Sequence, residues 1–243
     1  MRGSVLQNID LMTIDLNCSI PHHWMDGMRN IIKENRSIVL AGSFNPAIFH
    51  PSWFAKFKLI RDEEAAAAKV GIVHNDVTDF STEWFRLLVT PNKFQLEKLQ
   101  GGHEEELRDL ALSTFEILCH TPVTALGING ETHFDVESLE VWHDIGHRLA
   151  PKNGIWDTIL DKPGTQLLVV DGHRTDGYKG TIMVKVGPSA KVISGIFVSV
   201  NDHFDIGSTE PGIGSSDAVK TLTNVWDVAL ARFIKIRDKV MQL

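Results

Sequence analysis

The order of strand-like and helix-like segments is the feature that most constrains how this chain can fold. A compact apolar run lies at 37–42, a hairpin with Pro91-Asn92 as its turn lies at 85–98, and three strand candidates follow each other after residue 165. Strands of a doubly wound α/β protein would alternate with helices instead. The sequence therefore predicts an α+β fold with one or more largely antiparallel sheets.

Three segments have the apolar spacing of amphipathic helices, near 104–119, 136–149 and 216–241. Asp135 is a candidate N-cap for the second. The third has the longest apolar stripe in the chain, which we expect to be core: Val219, Leu222, Trp226, Leu230, Phe233, Ile236 and Val240. These three helices are expected to pack on the sheet.

Several local structures are predicted with them. A short helix is expected at 24–33, and a strand region at 123–134 is expected to contain a turn at Asn129-Gly130. The late strands are placed at 166–171, 181–186 and 193–200.

The length of 243 residues fits one large domain or two small, closely packed ones. We predict an N-terminal arm at 1–35, a first α+β half at 36–134 and a second at 135–243, with one continuous core. A strand at 85–89 and its partner lead into a long amphipathic helix, and a strand at 196–200 does the same. Two similar sheet-plus-helix halves are therefore one interpretation, and whether they arose by duplication stays open.

Composition narrows the class of protein. The formal net charge of −7 argues against binding to a phosphate backbone, so nucleic acid is not expected as a partner. Two cysteines, Cys18 and Cys119, are too few for a small disulfide-stapled secreted domain. The chain has no apolar run of transmembrane length and no apolar signal segment near its start. These features predict a cytoplasmic protein with no membrane partner.

The sharpest local motif is HDIGH at 143–147. It resembles the metal-binding core of the HD phosphohydrolases, in which adjacent His and Asp side chains bind a divalent metal that activates water for attack on a phosphoester. It also resembles the zincin helix, with His143 and His147 on one face and Asp144 where that family has glutamate. The first resemblance implies one divalent metal ion held by His143 and Asp144, and the second implies one held by His143 and His147, with Asp144 directed at a water molecule. The candidate metal-site residues are therefore His143, Asp144 and His147.

Further ligands would have to come from outside this helix. His133 and His120 are the upstream candidates, although they flank a predicted strand, whereas the HD family is all-helical. The other interpretation is an amphipathic helix whose Asp144 and His147 face water, with no metal and no other cofactor.

A repeated His-x-Asp pattern is a second candidate. It occurs at 74–76, 133–135 and 203–205. Because residues i and i+2 of a strand lie on the same face, each triplet could place an imidazole beside a carboxylate. Such pairs serve metal binding and acid–base chemistry, provided that the triplets converge.

The end of the chain carries a broader resemblance. An apolar strand ends in the sequence NDHFD at 201–205, and a polar loop and a C-terminal helix with aromatic residues in its stripe follow. This arrangement resembles a sporadically distributed group of uncharacterised bacterial proteins. The resemblance covers about the last fifth of the chain and implies a two-part α+β fold.

The sequence assembles no complete catalytic constellation, but it has paired aromatic residues at 53–54 and 84–85 of the kind that anchor interfaces. We therefore expect a binding or assembly component that acts through contacts with a protein partner or in a homo-oligomer. The alternative is a metal-dependent, phosphohydrolase-like hydrolase that uses His143, Asp144 and His147.

Overall fold

A single antiparallel sheet dominates the computed structural model, which describes residues 30–136, 138–207 and 214–242. Its spatial order is β2-β3-β4-β5-β1-β6-β9-β8-β7. The strands are β1 (Asn30–Gly42), β2 (Lys69–Val73), β3 (Thr78–Ser81), β4 (Phe85–Thr90), β5 (Lys93–Lys98), β6 (Val123–Asp135), β7 (Leu168–His173), β8 (Thr181–Pro188) and β9 (Gly195–Asp205).

Helices fill the connections between runs of strands. They are α1 (Pro51–Lys56), α2 (Asp62–Ala67), α3 (Glu104–Ile117), α4 (Leu139–Leu149), α5 (Trp156–Ile159) and α6 (Ser216–Met241), with a short 3₁₀ helix at Pro46–Ile48. The α+β prediction and the three main helices are confirmed. None of the helices in the described ranges is long and apolar enough to cross a membrane.

The connectivity repeats about the centre of the sheet. In the first set, β1 leads through helices to β2, β3, β4 and β5, and α3 follows; in the second, β6 leads through helices to β7, β8 and β9, and α6 follows. Strands β1 and β6 are antiparallel neighbours, and each set extends outward from its own member of that pair. The first set has five strands and the second has four, a difference that leaves β7 at one edge of the sheet.

Only one face of the sheet is covered by described helices. Alternate strand residues such as Ile38, Leu96 and Val198 point to that face and are fully buried beneath the helices. The opposite face is polar, and its side chains bond to one another across the strands: Asn35 with Glu97, Asn129 with Ser37, and Asn201 with Asn129. A one-sided antiparallel sheet explains the alternating sequence pattern.

The predicted turn at Asn129-Gly130 is wrong, because β6 runs without interruption from Val123 to Asp135. Both of its neighbours hold it extended: Asn129 is paired with Ser37 of β1 and with Asn201 of β9. Gly130 has a packing role instead, since a Cβ atom there would lie 2.2 Å from the Phe233 ring of α6.

Two helix predictions also need correction. Of the short helix expected at 24–33, residues 24–29 lie outside the described residues, and 30–33 belong to β1. Asp135 is the last residue of β6 rather than a helix cap. Helix α4 begins later, and the Ser138 hydroxyl accepts from the Val141 backbone N–H at 3.2 Å.

We expect Gly130→Ala to lower the free energy of unfolding by about 1–3 kcal/mol, the usual cost of overpacking a filled core. The Phe233 ring cannot move away freely, because the Arg36 guanidinium lies 3.9 Å from its centroid. Chemical denaturation would measure the change. Gly172→Ala in β7 is the control, since nothing lies within 4 Å of the added Cβ there; equal stability of the two variants would contradict this packing role.

Candidate functional site

Two of the predicted metal ligands lie on the wall of one small cavity. His143 and His147, one turn apart on α4, line a space of about 50 Å³ between this helix and the strands β7, β8 and β9. Trp142 fixes the helix against the sheet by donating its indole N–H to the Gly195 carbonyl at 3.0 Å. The volume is room for a few water molecules.

The other two predicted ligands lie elsewhere. Asp144 forms an ion pair with Arg148 at 2.9 Å, and both side chains are about half exposed. His133 lies in β6 on the open face of the sheet, where its Nδ1 is 2.8 Å from the Ser189 hydroxyl. Burial lowers the pKa of this imidazole, and Lys191 lowers it further. The structure thus brings together His143 and His147, without Asp144 or His133.

No group of three or more His, Cys, Asp or Glu side chains within the described ranges is arranged to hold a metal ion. The other polar contributors to the cavity are Thr165, whose buried hydroxyl has no hydrogen-bond partner among the described residues, and Lys152. The Lys152 ammonium donates to the Gly146 carbonyl at 2.8 Å and also to the Ala150 carbonyl, so it closes the C-terminus of α4. Burial lowers the pKa of Lys152.

The three His-x-Asp triplets do not converge. His74 lies at the β2–β3 turn, and β2 is five strands from β6, or about 24 Å. His203 lies in β9 opposite Gly127, six residues along β6 from His133, or about 20 Å. His74 and His203 each pair with the aspartate of their own triplet at 3.2 Å. These triplets are local pairs rather than parts of one site.

The sheet edge formed by β7 is open. All residues of β7 after Leu168 are exposed, whereas the corresponding strand of the first set, β3, alternates between buried and half-buried. In the first set β2 covers β3; the second set has no such strand among the described residues. The segment 161–165 precedes β7 where a matching strand would lie, but it contains Pro163-Gly164 and a left-handed Lys162 with φ +49°.

The register shows which backbone groups of β7 are free to bond outward. Arg174 donates its backbone N–H to the Gly180 carbonyl, continuing the β7–β8 ladder, so the even-numbered residues form the hydrogen-bonded pairs with β8. Consequently the N–H and C=O groups of Val169, Asp171 and His173 point away from β8. Their residues are exposed to solvent, which leaves these groups available to another strand.

Exposed apolar side chains are concentrated in β7 and in the segment that leads into it. Seven large apolar residues between 155 and 170 are at least 46% exposed, while those exposed elsewhere in the described chain are scattered singly or in pairs. We call β7 together with these residues the β7 edge surface. They are Ile155, Trp156, Ile159, Leu160, Leu167, Val169 and Val170.

A charged cluster fixes the end of β7. Arg174 binds Asp176 and the buried Asp202 of β9, and Arg232 of α6 binds the same two carboxylates. The Arg174 guanidinium also lies 3.6 Å from the centroid of the Phe204 ring. Because each buried charge has partners of opposite sign, the cluster ties the β7–β8 loop to the core.

A comparison with protein-family models finds no match, and no curated protein is significantly similar to this chain. The site therefore has to be interpreted from its own geometry.

Sequence reasoning misses most of the β7 edge surface. The apolar run at 166–171 predicts the strand but not its exposure, and α5 is not predicted at all. One signal is present: Trp156, Ile159 and Leu160 have helical spacing, but the Pro163-Gly164 pair that follows leaves room for only one turn.

Acidification is expected to destabilise the fold partly through Asp176. Hydrogen bonding from Arg174 holds the pKa of this carboxyl below its usual range. Its charged form is therefore stabilised in the folded state, and this stability is present above the unfolded value of about 3.9 and lost as the pH falls through the lower, folded pKa. Thermal unfolding from pH 7 downward would show a shallower acid decline in Asp176→Asn. Asp161→Asn, at an exposed carboxylate outside β7, is the control, and identical pH profiles for wild type and Asp176→Asn would contradict the linkage.

Proposed function

We propose that this chain is a binding or assembly component that acts through protein–protein contacts at the β7 edge surface. One observation carries the proposal: the open edge strand β7 is exposed along its length, and the segment that leads into it has a concentration of exposed apolar side chains. An open strand edge is a template for another strand, and a contiguous apolar patch is typical of interaction sites.

The chemistry of this surface suits an extended polypeptide. Backbone groups of Val169, Asp171 and His173 can exchange hydrogen bonds with a partner strand, which supplies affinity in strand addition. Burial of the exposed apolar side chains of the β7 edge surface would add roughly 25 cal/mol for each Å² of apolar surface that binding removes from water. Neither contribution is made while the edge is exposed to solvent, and both are made when a partner strand binds.

The surface is also held in place before a partner arrives. Hydrogen bonds to β8 run along the whole of β7, and the Arg174–Asp202 ion pair fixes the end of the strand. A preformed edge loses little conformational entropy on binding. We propose that the protein works in this way in the cytoplasm of a bacterium, without a cofactor.

Ile159→Glu tests the interaction surface. Residue 159 is 65% exposed, so a charge there should leave the fold intact but oppose burial in an interface. The full-length chain carrying an affinity tag would be expressed in its native host, and co-purifying polypeptides, including untagged copies of the chain, would be identified by mass spectrometry. We expect Ile159→Glu to reduce the recovery of wild-type partners by about tenfold or more.

The matched control is Leu99→Glu, where an apolar residue is 46% exposed directly after β5, five strands away from β7. It should retain the wild-type partners. Equal recovery by wild type and Ile159→Glu, or wild-type protein that retains no polypeptide, would refute the proposed function.

A metal-dependent hydrolase is the alternative proposal. It is supported by the position of His143 and His147 on one cavity wall, in a volume that could hold an ion and a water molecule. Imidazole nitrogens bind Zn²⁺ and similar ions, and a bound ion can activate water for hydrolysis. Two histidines would leave the remaining coordination positions to water and substrate.

Elemental analysis of the purified full-length chain tests this alternative. It predicts about one equivalent of a transition metal in the wild type and its loss in His143→Ala. His74→Ala, which removes an exposed imidazole far from the cavity, should retain the ion. Folded wild-type protein without metal, in buffer supplemented with Zn²⁺ during purification, would contradict the hydrolase.

A further inference from the structure

We infer that the β7 edge binds the β7 strand of a second copy of this chain, antiparallel and about a twofold axis that passes through Gly172. This inference rests on the proposed function and specifies its partner. It joins two sheets into one continuous sheet across the molecular interface.

The orientation follows from the fold itself. In the first set, the strand that covers β3 is β2, and it runs antiparallel to β3. The second set has the equivalent edge without a described covering strand, so the position open beside β7 is that of an antiparallel strand. A second copy of β7 related by a twofold axis perpendicular to the sheet necessarily runs antiparallel to the first.

The charges on β7 identify the partner as a second copy. Asp171 and His173 are both exposed, point to the same face and have outward-facing backbone groups. Rotation about an axis through Gly172 places Asp171 of each copy directly opposite His173 of the other. Each such pair would exchange both backbone hydrogen bonds, and an imidazole N–H would donate to the facing carboxylate. The edge is thus complementary to itself in backbone and side-chain hydrogen bonding.

Neighbouring registers are less favourable. An axis through Asp171 would place the two carboxylates directly opposite each other, and like charges in facing positions destabilise a strand pair. An axis through Val170 would place each Asp171 opposite an apolar Val169. Of these registers, only the one centred on Gly172 places each Asp171 carboxylate opposite a side-chain hydrogen-bond donor.

The other edge of the sheet is a poorer partner for β7. Strand β2 begins with Lys69 and has a register irregularity between Val70 and Ile72. A bulge interrupts the regular spacing of outward backbone groups, and an edge lysine opposes pairing with a further strand. Pairing of β7 with β2 of another molecule is therefore disfavoured relative to pairing of β7 with itself.

A charge exchange across the interface tests the register. Sedimentation equilibrium of the full-length chain over a range of concentrations should show a reversible dimer. Asp171→Lys should raise the dimer dissociation constant by about tenfold, because the introduced ammonium would face His173 of the other copy. His173→Glu should do the same, because the introduced carboxylate would face Asp171. The double variant should restore wild-type dimerisation, since it re-forms the opposite-charge pairs with their signs reversed.

Proline substitution tests the edge independently of charge. In Asp171→Pro, the lost N–H points away from β8, so the internal ladder is preserved while the dimer should be abolished. Val73→Pro is the matched control at the β2 edge: His74 bonds to Val77 in the register of β3, so the Val73 N–H also points outward. This control should dimerise like the wild type, and circular dichroism would verify that both variants fold.

A strictly monomeric wild type overturns the inference, and so does a dimer that Asp171→Pro leaves intact. Failure of the double variant to regain dimerisation overturns the Gly172 register. None of these results contradicts the proposed function, which is tested by the Ile159→Glu recovery experiment. A monomer that still retains another polypeptide through the β7 edge surface would support the proposed function but show that the partner is not a second copy of the chain.

Discussion

The pairing of β1 with β6 is the interaction on which the rest of this structure depends. These two strands of 13 residues each lie side by side at the centre of the sheet, and each has a further partner on its outer side. Strand β6 is paired on both sides over almost its whole length, and β1 is paired on both sides from Ser37 to Ala41, which keeps the centre of the sheet extended without hydrogen bonds to water. The two chain-order sets of strands grow outward from this pair, and α3 and α6 contact each other over it.

The same pairing explains which parts of the fold could be predicted from sequence. The hairpin of β4 and β5 and the long apolar stripe of α6 are specified by local patterns, namely a turn pair between alternating runs and a spacing of three and four residues. Asn129-Gly130 also has a strong local turn pattern, but long-range bonds from β1 and β9 override it, and the glycine is needed beneath Phe233. Likewise Asp135 is a good cap by residue type, yet it is retained in β6 by pairing with Asn30 and Gly195.

The candidate site is less predictable because it depends on exposure rather than on residue type. The run Leu167–Val170 is apolar enough for a buried strand, and only the sheet order shows that nothing described covers its outer side. The HDIGH motif can be recognised from residue type, but residue type does not show whether the motif forms a metal site. Spacing identifies its histidines, but a metal site needs ligands from other elements, and His133 points to the other face of the sheet. Arg174 in the loop after β7 is part of the ion cluster that anchors that edge.

The unequal ends of the sheet have a consequence for how large any assembly built from this chain can become. A molecule with two receptive edges could add copies indefinitely and form a fibre, because each addition would regenerate a free edge. Among the described strands, the irregularity between Val70 and Ile72 disfavours pairing at the β2 edge, so the proposed contact between two β7 strands would use the one receptive edge of each copy. In the proposed dimer, growth would therefore stop at two copies, which would allow the chain to have an exposed edge strand without extended aggregation.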